Sequence, residues 1–149
     1  MTLSLLSDEY FMKEAFKQAQ YAFDEGETPV GAVLVANNRI IAKAYNQVEK
    51  LNDPTAHAEI LVITSASHML GSKYLNECTL YVTLEPCSMC AGACYWSQLK
   101  KIVYGASDQR RGYSSFNKNL IHPKTEVVKG IMADECTAIM RNFFKEIRT

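Results

Sequence analysis

Three side chains in the sequence are good zinc ligands, and their spacing allows them to meet. His57 lies in the stretch TAHAEILV, and Cys87 and Cys90 follow in LEPCSMCAGAC. An imidazole and two thiolates are ligands that zinc favours. The two cysteines are three residues apart where a helix is predicted to begin after Pro86, so both sulfur atoms can face one side. The free amides of a helix start also favour the thiolate form. We therefore predict one Zn²⁺ per chain, bound by these three residues.

The number of ligands separates a structural zinc site from a catalytic one. A structural site needs four protein ligands, whereas a catalytic site keeps one position open. Cys94 and His68 are the candidates for a fourth ligand. Cys94 lies among small and apolar residues in AGACYW, as a buried inert thiol does, and His68 is a turn or more from the others on its predicted helix. The pattern favours three protein ligands and a catalytic site.

Glu59 is suited to acid–base work beside such a metal. A positioned carboxylate can take a proton from a water molecule that the metal activates and return it later. Residues two apart on an ideal helix point to opposite sides, so Glu59 and His57 converge only if His57 is the cap residue. The preceding loop NDPTA permits that conformation. We predict that Glu59 is the catalytic acid–base residue.

The bulk properties describe an ordinary globular chain. Its 149 residues, of which 48% are hydrophobic and 21% charged, suit a single domain over 1–149. No apolar run has the length of a membrane span, and the first residues do not form a basic leader with a cleavage site. Five cysteines, an odd number, favour thiols used for chemistry over a disulfide framework. We expect a cytoplasmic protein that does not bind membranes.

The formal net charge is zero, but the charges are unevenly distributed. Residues 1–29 carry six acidic side chains and two basic ones, whereas residues 100–129 carry seven basic side chains and two acidic ones. The basic segment predicts a locally positive surface despite the neutral total. A solvated loop with scattered charges remains an equally good interpretation of composition alone.

The periodicity of apolar residues predicts an α/β fold. Strands that alternate with helices indicate a three-layer αβα sandwich with a central five-stranded mixed sheet, in which the first hairpin is antiparallel and the later strands are parallel. Residues 107–124 have no clean period and predict a long loop with a short helix. The predicted helices cover Asp8 to Gly26, His57 to Leu70, Ser88 to Gln98 and Ala133 to Arg148, and the strands lie in PVGAVLVANNRIIAKAYN, TLYVTLEP, KKIVYGA and TEVVKG.

The zinc ligands and Glu59 also match a known signature. His57-Ala58-Glu59 followed by Pro86-Cys87-Ser88-Met89-Cys90 is the His-x-Glu and Pro-Cys-x-x-Cys pattern of zinc nucleobase deaminases. Over nearly the whole chain the sequence resembles the bacterial tRNA-specific adenosine deaminases. This resemblance implies a cytidine deaminase-like fold, conversion of adenosine to inosine in the tRNA anticodon loop at the wobble position, and a homodimer with AGACYW in its contact surface. The stretches that carry it are PVGAVLV, NDPTAHAEI, TLYVTLEPCSMCAGA and GIMADEC.

The resemblance also implies substrate contacts. Asn46 matches the asparagine that holds the substrate, and Val30, the Ala58 amide and Phe144 match residues that wall the base pocket. Asp108 matches a loop position that touches the nucleic acid. Nearby residues suit phosphate contact or base stacking, and they have competing interpretations as ordinary loop or core residues. These tentative nucleic-acid contacts are Arg110, Arg111, Tyr113 and Phe116.

Two other functions remain open. The segment LIHPKTEVV looks shorter than the family's usual form, and the neutral chain ends without a basic tail, which favours a free-base or nucleoside deaminase acting on guanine or cytosine. A non-enzymatic zinc module that binds nucleic acid is a third interpretation. It requires a fourth protein ligand on the metal and no role for Glu59.

Overall fold

The computed structural model describes residues 7–147, which form one five-stranded sheet with helices on both faces. The predicted end of the last helix at Arg148 lies outside these residues. Apart from two 3₁₀ turns, Tyr113–Ser115 and Lys118–Leu120, the elements in chain order are α1 (Asp8–Asp24), β1 (Gly31–Ala36), β2 (Arg39–Tyr45), α2 (Val48–Leu51), α3 (Ala58–Leu70), β3 (Cys78–Leu84), α4 (Ser88–Ser97), β4 (Lys101–Ala106), β5 (Glu126–Lys129) and α5 (Ala133–Ile147).

The sheet is mixed, as the sequence predicts. Its strand order is β2-β1-β3-β4-β5, with β1 antiparallel to β2 and β3, and with β3, β4 and β5 parallel to one another. Asn37 and Asn38 join β1 to β2 with φ values of 51° and 61°. Two successive positive φ angles define the hairpin turn that matches strand twist, and asparagine tolerates them. The predicted tight hairpin is confirmed.

Two apolar cores separate the sheet from its helical layers. On one face, Phe11 and Met12 of α1 pack against Val33 and Val103 of the sheet. On the same face α5 packs against α1, where Phe143 meets Phe23. On the other face, α3 and α4 pack against the strand side chains that point away from the first core. These include Leu34, Leu80 and Ile102. The predicted αβα sandwich is confirmed.

One short helix, α2, was not predicted from sequence. Its first amides are held by a distant residue, because the carboxylate of buried Glu27 accepts hydrogen bonds from the Glu49 amide (3.0 Å) and the Lys50 amide (2.7 Å). A cap supplied from more than twenty residues away leaves no local signature.

In the described part of the chain, no helix combines the length and the apolar character needed to cross a bilayer.

Candidate active site

Two helix starts carry the predicted metal ligands. His57 is the N-cap of α3 with φ −75° and ψ 152°, and Cys87 is the N-cap of α4 with φ −72° and ψ 175°. These extended dihedrals place both residues outside regular helix, which meets the condition for His57 and Glu59 to converge. The loop before α3 is built for this, because the Asp53 carboxylate accepts hydrogen bonds from the Thr55 amide and hydroxyl, both at 2.8 Å.

The three ligand atoms lie at distances that suit zinc. The Nδ1 atom of His57 is 3.7 Å from the Cys87 sulfur and 3.5 Å from the Cys90 sulfur. Tetrahedral zinc with its usual bond lengths requires a nitrogen–sulfur separation of about 3.6 Å. The residues present therefore fit a zinc ion.

The electrostatics of the cysteine pair favour a cation. A hydrogen bond from the Cys90 thiol, followed by one from His57, lowers the pKa of Cys87 to about 4. The same hydrogen bond, together with burial, raises the pKa of Cys90. Hydrogen bonding to Cys87 likewise raises the pKa of His57. Protons on His57 and on the Cys90 thiol therefore lie where a divalent cation would bind. Metal binding at such sites releases protons.

Glu59 lies in the first turn of α3, beside the cluster. It is only 4% exposed, and burial raises the pKa of its carboxyl to about 7, although the nearby His57 opposes this shift. An acid–base group works best when its pKa is close to the working pH. Burial beside the cluster therefore gives Glu59 the property expected of the predicted acid–base residue.

A fourth protein ligand is missing from the described residues. His57, Cys87 and Cys90 form the one cluster of potential metal ligands among residues 7–147. His68 is exposed in the last turn of α3, at the opposite end from His57. Cys94 is 1% exposed within the apolar core, as predicted for an inert thiol. Three protein ligands, rather than four, are the pattern of a catalytic zinc site.

Asn46 has an unused hydrogen-bond acceptor in a buried position. Its side-chain amide donates to the Thr28 carbonyl (3.2 Å) and its backbone amide donates to the Val30 carbonyl (3.0 Å), yet its Oδ1 has no partner within residues 7–147. Buried polar atoms are almost always satisfied, so this oxygen is available to a donor from outside the protein. The backbone hydrogen bond makes Val30 a direct neighbour of Asn46. Ala58, next to His57 in the chain, is fully buried.

The predicted nucleic-acid contacts on the loop after β4 differ in how far their side chains are exposed. Arg110 and Arg111 are exposed, and Phe116 is 64% exposed. Tyr113, in contrast, is 6% exposed and belongs to the apolar core, so its ring cannot stack on a base, and the structure favours the core interpretation. The Asp108 carboxylate accepts hydrogen bonds from the amides of Arg110 and Arg111, both at 3.1 Å, and so shapes the tip of the loop.

Phe144 lies on α5, which is on the other face of the sheet from α3 and α4. Its ring is 39% exposed and contacts Phe143. A groove of about 610 Å³ runs between α1 and α5, lined by Phe16, Glu135 and Asn142 among others. This groove holds none of the zinc ligands, so its size does not make it the active site.

Two buried carboxylates were not found by sequence reasoning. Glu27 and Glu85 are 2% and 4% exposed. Glu85 lies between the apolar run TLYVTL and Pro86. An acidic residue directly after a buried strand was the available signal that its carboxylate is buried. Its partners come from a loop more than twenty residues later, which the sequence does not reveal.

The fold and this site together define a class of enzymes, the hydrolytic deaminases of nucleobases with a cytidine deaminase-like fold. The family model of the cytidine and deoxycytidylate deaminase zinc-binding region matches residues 6–106. The chain therefore belongs to the cytidine and deoxycytidylate deaminase family.

Individual relatives agree with this assignment. A tRNA-specific adenosine deaminase of Bacillus subtilis (strain 168) is 46% identical, over 97% of this chain and 92% of the relative. The solved structure of a tRNA:A34 deaminase, from work on A-to-I editing at the wobble position of transfer RNA, is 40% identical, covers 87% of this chain and 98% of its own, and superposes with a TM-score of 0.82. A guanine deaminase from Bacillus subtilis is 44% identical over 66% of this chain and 64% of its own, with a TM-score of 0.64.

Proposed function

We propose that this protein is a zinc-dependent hydrolytic deaminase that converts adenosine to inosine at the wobble position of tRNA. The observation that carries the chemistry is the partly buried cluster of His57, Cys87 and Cys90 with the buried Glu59 carboxyl beside it. Three ligands with an adjacent proton carrier are the parts that hydrolytic removal of an exocyclic amine requires.

One zinc ion per chain would be held by His57, Cys87 and Cys90. When bound, it supplies a Lewis acid that makes water nucleophilic at neutral pH. Glu59 would carry two protons in turn, the first from the attacking water to the ring nitrogen and the second from the new hydroxyl group on the ring carbon to the departing amine. The C–O bond forms and the C–N bond breaks, so that adenosine and water give inosine and ammonia. The buried position of Glu59 keeps bulk water away from the proton being moved.

The base would be held by groups around the cluster. The free Oδ1 of Asn46 is the acceptor available to a donor of the substrate. Val30 and the backbone amide of Ala58, which belong to the same core, are proposed to wall the base pocket. Phe144 is left out of this set because it lies on α5, on the other face of the sheet. Val30 is next to Asn46, and Ala58 is next to His57.

The polynucleotide would be held by the loop after β4. The proposed contacts are Asp108, the exposed Arg110 and Arg111 for phosphate, and Phe116 for base stacking. Cationic side chains supply affinity for phosphate, and aromatic faces accept unstacked bases of a single-stranded loop. Tyr113 is left out of this set because it is buried.

A guanine deaminase is the second candidate, since one such enzyme is 44% identical to part of this chain. The extent of the match favours the tRNA substrate. Among the solved structures, the guanine deaminase covers 66% of the chain with a TM-score of 0.64, whereas the tRNA:A34 deaminase covers 87% with a TM-score of 0.82 at a similar identity.

The function is tested by turnover of an anticodon stem-loop RNA that carries adenosine at the wobble position, beside free adenosine, guanine and cytosine. We expect inosine to form in the RNA, and a matched stem-loop with guanosine at that position to be unchanged. Rapid deamination of a free base, with no inosine in the RNA even at low salt, would contradict the tRNA assignment and leave the deaminase class intact.

The assembly is proposed to be a cytoplasmic homodimer. Trp96 on α4 is 77% exposed beside Tyr95, in the apolar segment that is the expected contact surface. An exposed indole next to an active-site helix is a suitable anchor for a second copy of the chain. Light scattering after size-exclusion chromatography should give twice the chain mass, and Trp96→Glu should give a monomer.

A further inference from the structure

Glu85 is a buried carboxylate whose side-chain partners all belong to one loop. It follows β3 directly, and its amide donates to the Ala106 carbonyl (2.8 Å), which extends the pairing with β4. One carboxylate oxygen accepts a hydrogen bond from the Asp108 amide (3.1 Å). The other accepts from the Ser114 amide (3.0 Å) and the Ser114 hydroxyl (2.6 Å). Burying a carboxylate is expensive unless such donors surround it.

These hydrogen bonds close the loop from Asp108 to Ser114 at both ends. Between them the Gly112 amide donates to the Asp108 carbonyl (2.9 Å). A Cβ atom at Gly112 would lie 2.4 Å from both that carbonyl oxygen and the Glu85 carboxyl carbon. The turn is therefore wrapped tightly onto Glu85, and its tip is Arg110 and Arg111, whose side chains are exposed.

The same loop is joined to the metal cluster. Gly112 forms an antiparallel bridge with Cys87, and the Tyr113 amide donates to the Pro86 carbonyl (2.9 Å). Glu85 is two residues before Cys87. The arrangement therefore holds the two exposed arginines at a set place relative to the active site.

We propose that Glu85 is a positioning residue that presents the Arg110–Arg111 tip to the phosphates of a polynucleotide substrate, and thereby sets the preference for a polynucleotide over a free base. The assignment of phosphate as the bound group rests on the proposed function. A tip that is ordered before binding loses less entropy when it binds, so its contacts contribute more affinity. The side-chain hydrogen bonds of Glu85 go to Asp108 and Ser114, so it acts through the loop.

Glu85→Gln is the main test because it keeps the shape and removes one acceptor site. An amide has one oxygen, so its NH₂ group must face the donors of either Asp108 or Ser114. Trypsin reports loop order without any assay of activity. We expect cleavage after Arg110 and Arg111 to be at least about tenfold faster, since local opening exposes these bonds. Cleavage after the exposed Lys73, in the turn after α3, should be unchanged.

Steady-state kinetics on the stem-loop RNA test the functional half of the proposal. Glu85→Gln should raise KM by about tenfold, the scale of a lost charge-assisted hydrogen bond, with a much smaller change in kcat and an unchanged zinc content. In the background Arg110→Ala with Arg111→Ala, Glu85→Gln should raise KM no further, because both changes remove the same contact. A role in general stability would instead lower kcat and add to the arginine effect.

Ser114→Ala keeps the proposal testable if Glu85→Gln loses zinc or fails to fold. It removes the 2.6 Å hydrogen bond at the far end of the loop, and Ser114 is exposed. It should shift cleavage and KM in the same direction by a smaller factor. Unchanged cleavage and KM in these variants would overturn the role of Glu85, as would additive effects with the arginine changes. If the wild-type protein leaves the RNA unreacted, the proposed function has failed instead, and the trypsin result still decides whether Glu85 orders the loop.

Discussion

At the scale of single residues, the thiol that caps α4 and a thiol within α4 have opposite environments. Cys87 is half-buried at the helix start, where hydrogen bonds hold its pKa near 4, whereas burial in the apolar core raises the pKa of Cys94. Cys87 also belongs to the cluster with His57 and Cys90, whereas the Cys94 sulfur does not. We therefore expect Cys87→Ala to lose its zinc and Cys94→Ala to keep about one zinc per chain, measured by elemental analysis of the purified proteins. Zinc loss in Cys94→Ala, with the fold preserved, would mean that the metal has a fourth protein ligand.

Glu59→Gln separates catalysis from metal binding. Gln keeps the size of the side chain but cannot carry a proton, so activity on the stem-loop RNA should fall by at least about a hundredfold. Zinc content and the circular dichroism spectrum should match those of the wild type. Glu77→Gln, at an exposed glutamate, is the matched control and should keep full activity. Comparable turnover in the Glu59 variant would show that another group moves the proton.

At the scale of elements, the ends of α3 were predicted well because their signals are local. His57 begins the helix and Gly71 ends it with φ +63°, as the sequence predicts. Loop residues Asp53 and Thr55 sit directly before the start. Helix ends depend on residues within one turn, so a capping motif or a glycine is readable without the rest of the chain.

Gly71→Ala tests the cap at the end of α3. A residue with a Cβ atom resists the left-handed conformation, so the free energy of unfolding should fall by about 1 kcal/mol or slightly more. No neighbouring atom would meet the added methyl group, and the loss would therefore report backbone conformation alone. Gly71→Asn is the control and should lose less, since asparagine tolerates this conformation. Equal stability of Gly71→Ala and wild type in urea unfolding would contradict the assignment of the cap.

At the scale of the whole molecule, the exposed Arg110 and Arg111 form a locally positive loop tip on a chain whose formal net charge is zero. Arg110→Ala with Arg111→Ala should weaken binding of the stem-loop RNA, and the slope of log affinity against log salt should become shallower by roughly 0.7 for each lost phosphate contact. Binding is measured in the Glu59→Gln background so that the RNA is not consumed. Lys13→Ala with Lys43→Ala removes two exposed charges elsewhere and should leave the slope nearly unchanged. An unaltered slope in the arginine variant would place the phosphate contacts on another surface.

The sequence by itself determined the chemistry and the class of fold. Ligand types and the spacing of Cys87 and Cys90 indicate zinc, and the alternation of apolar strands and helices predicts the mixed sheet between two helical layers. These features are local, since a helix start, a hairpin turn or a strand period depends on neighbours in the chain. The condition that His57 be a cap residue also followed from local helix geometry.

Only the tertiary structure decided which residues face inward and which distant groups pair. Tyr113 and Phe116 look alike in the sequence, yet the first is buried and the second is exposed, because the loop is closed onto Glu85 from a position more than twenty residues earlier. Glu27 orders α2, and Asn46 keeps a vacant acceptor, through contacts of the same long range. Burial and the satisfaction of polar groups depend on all neighbours in space, and a sequence pattern reports only those along the chain.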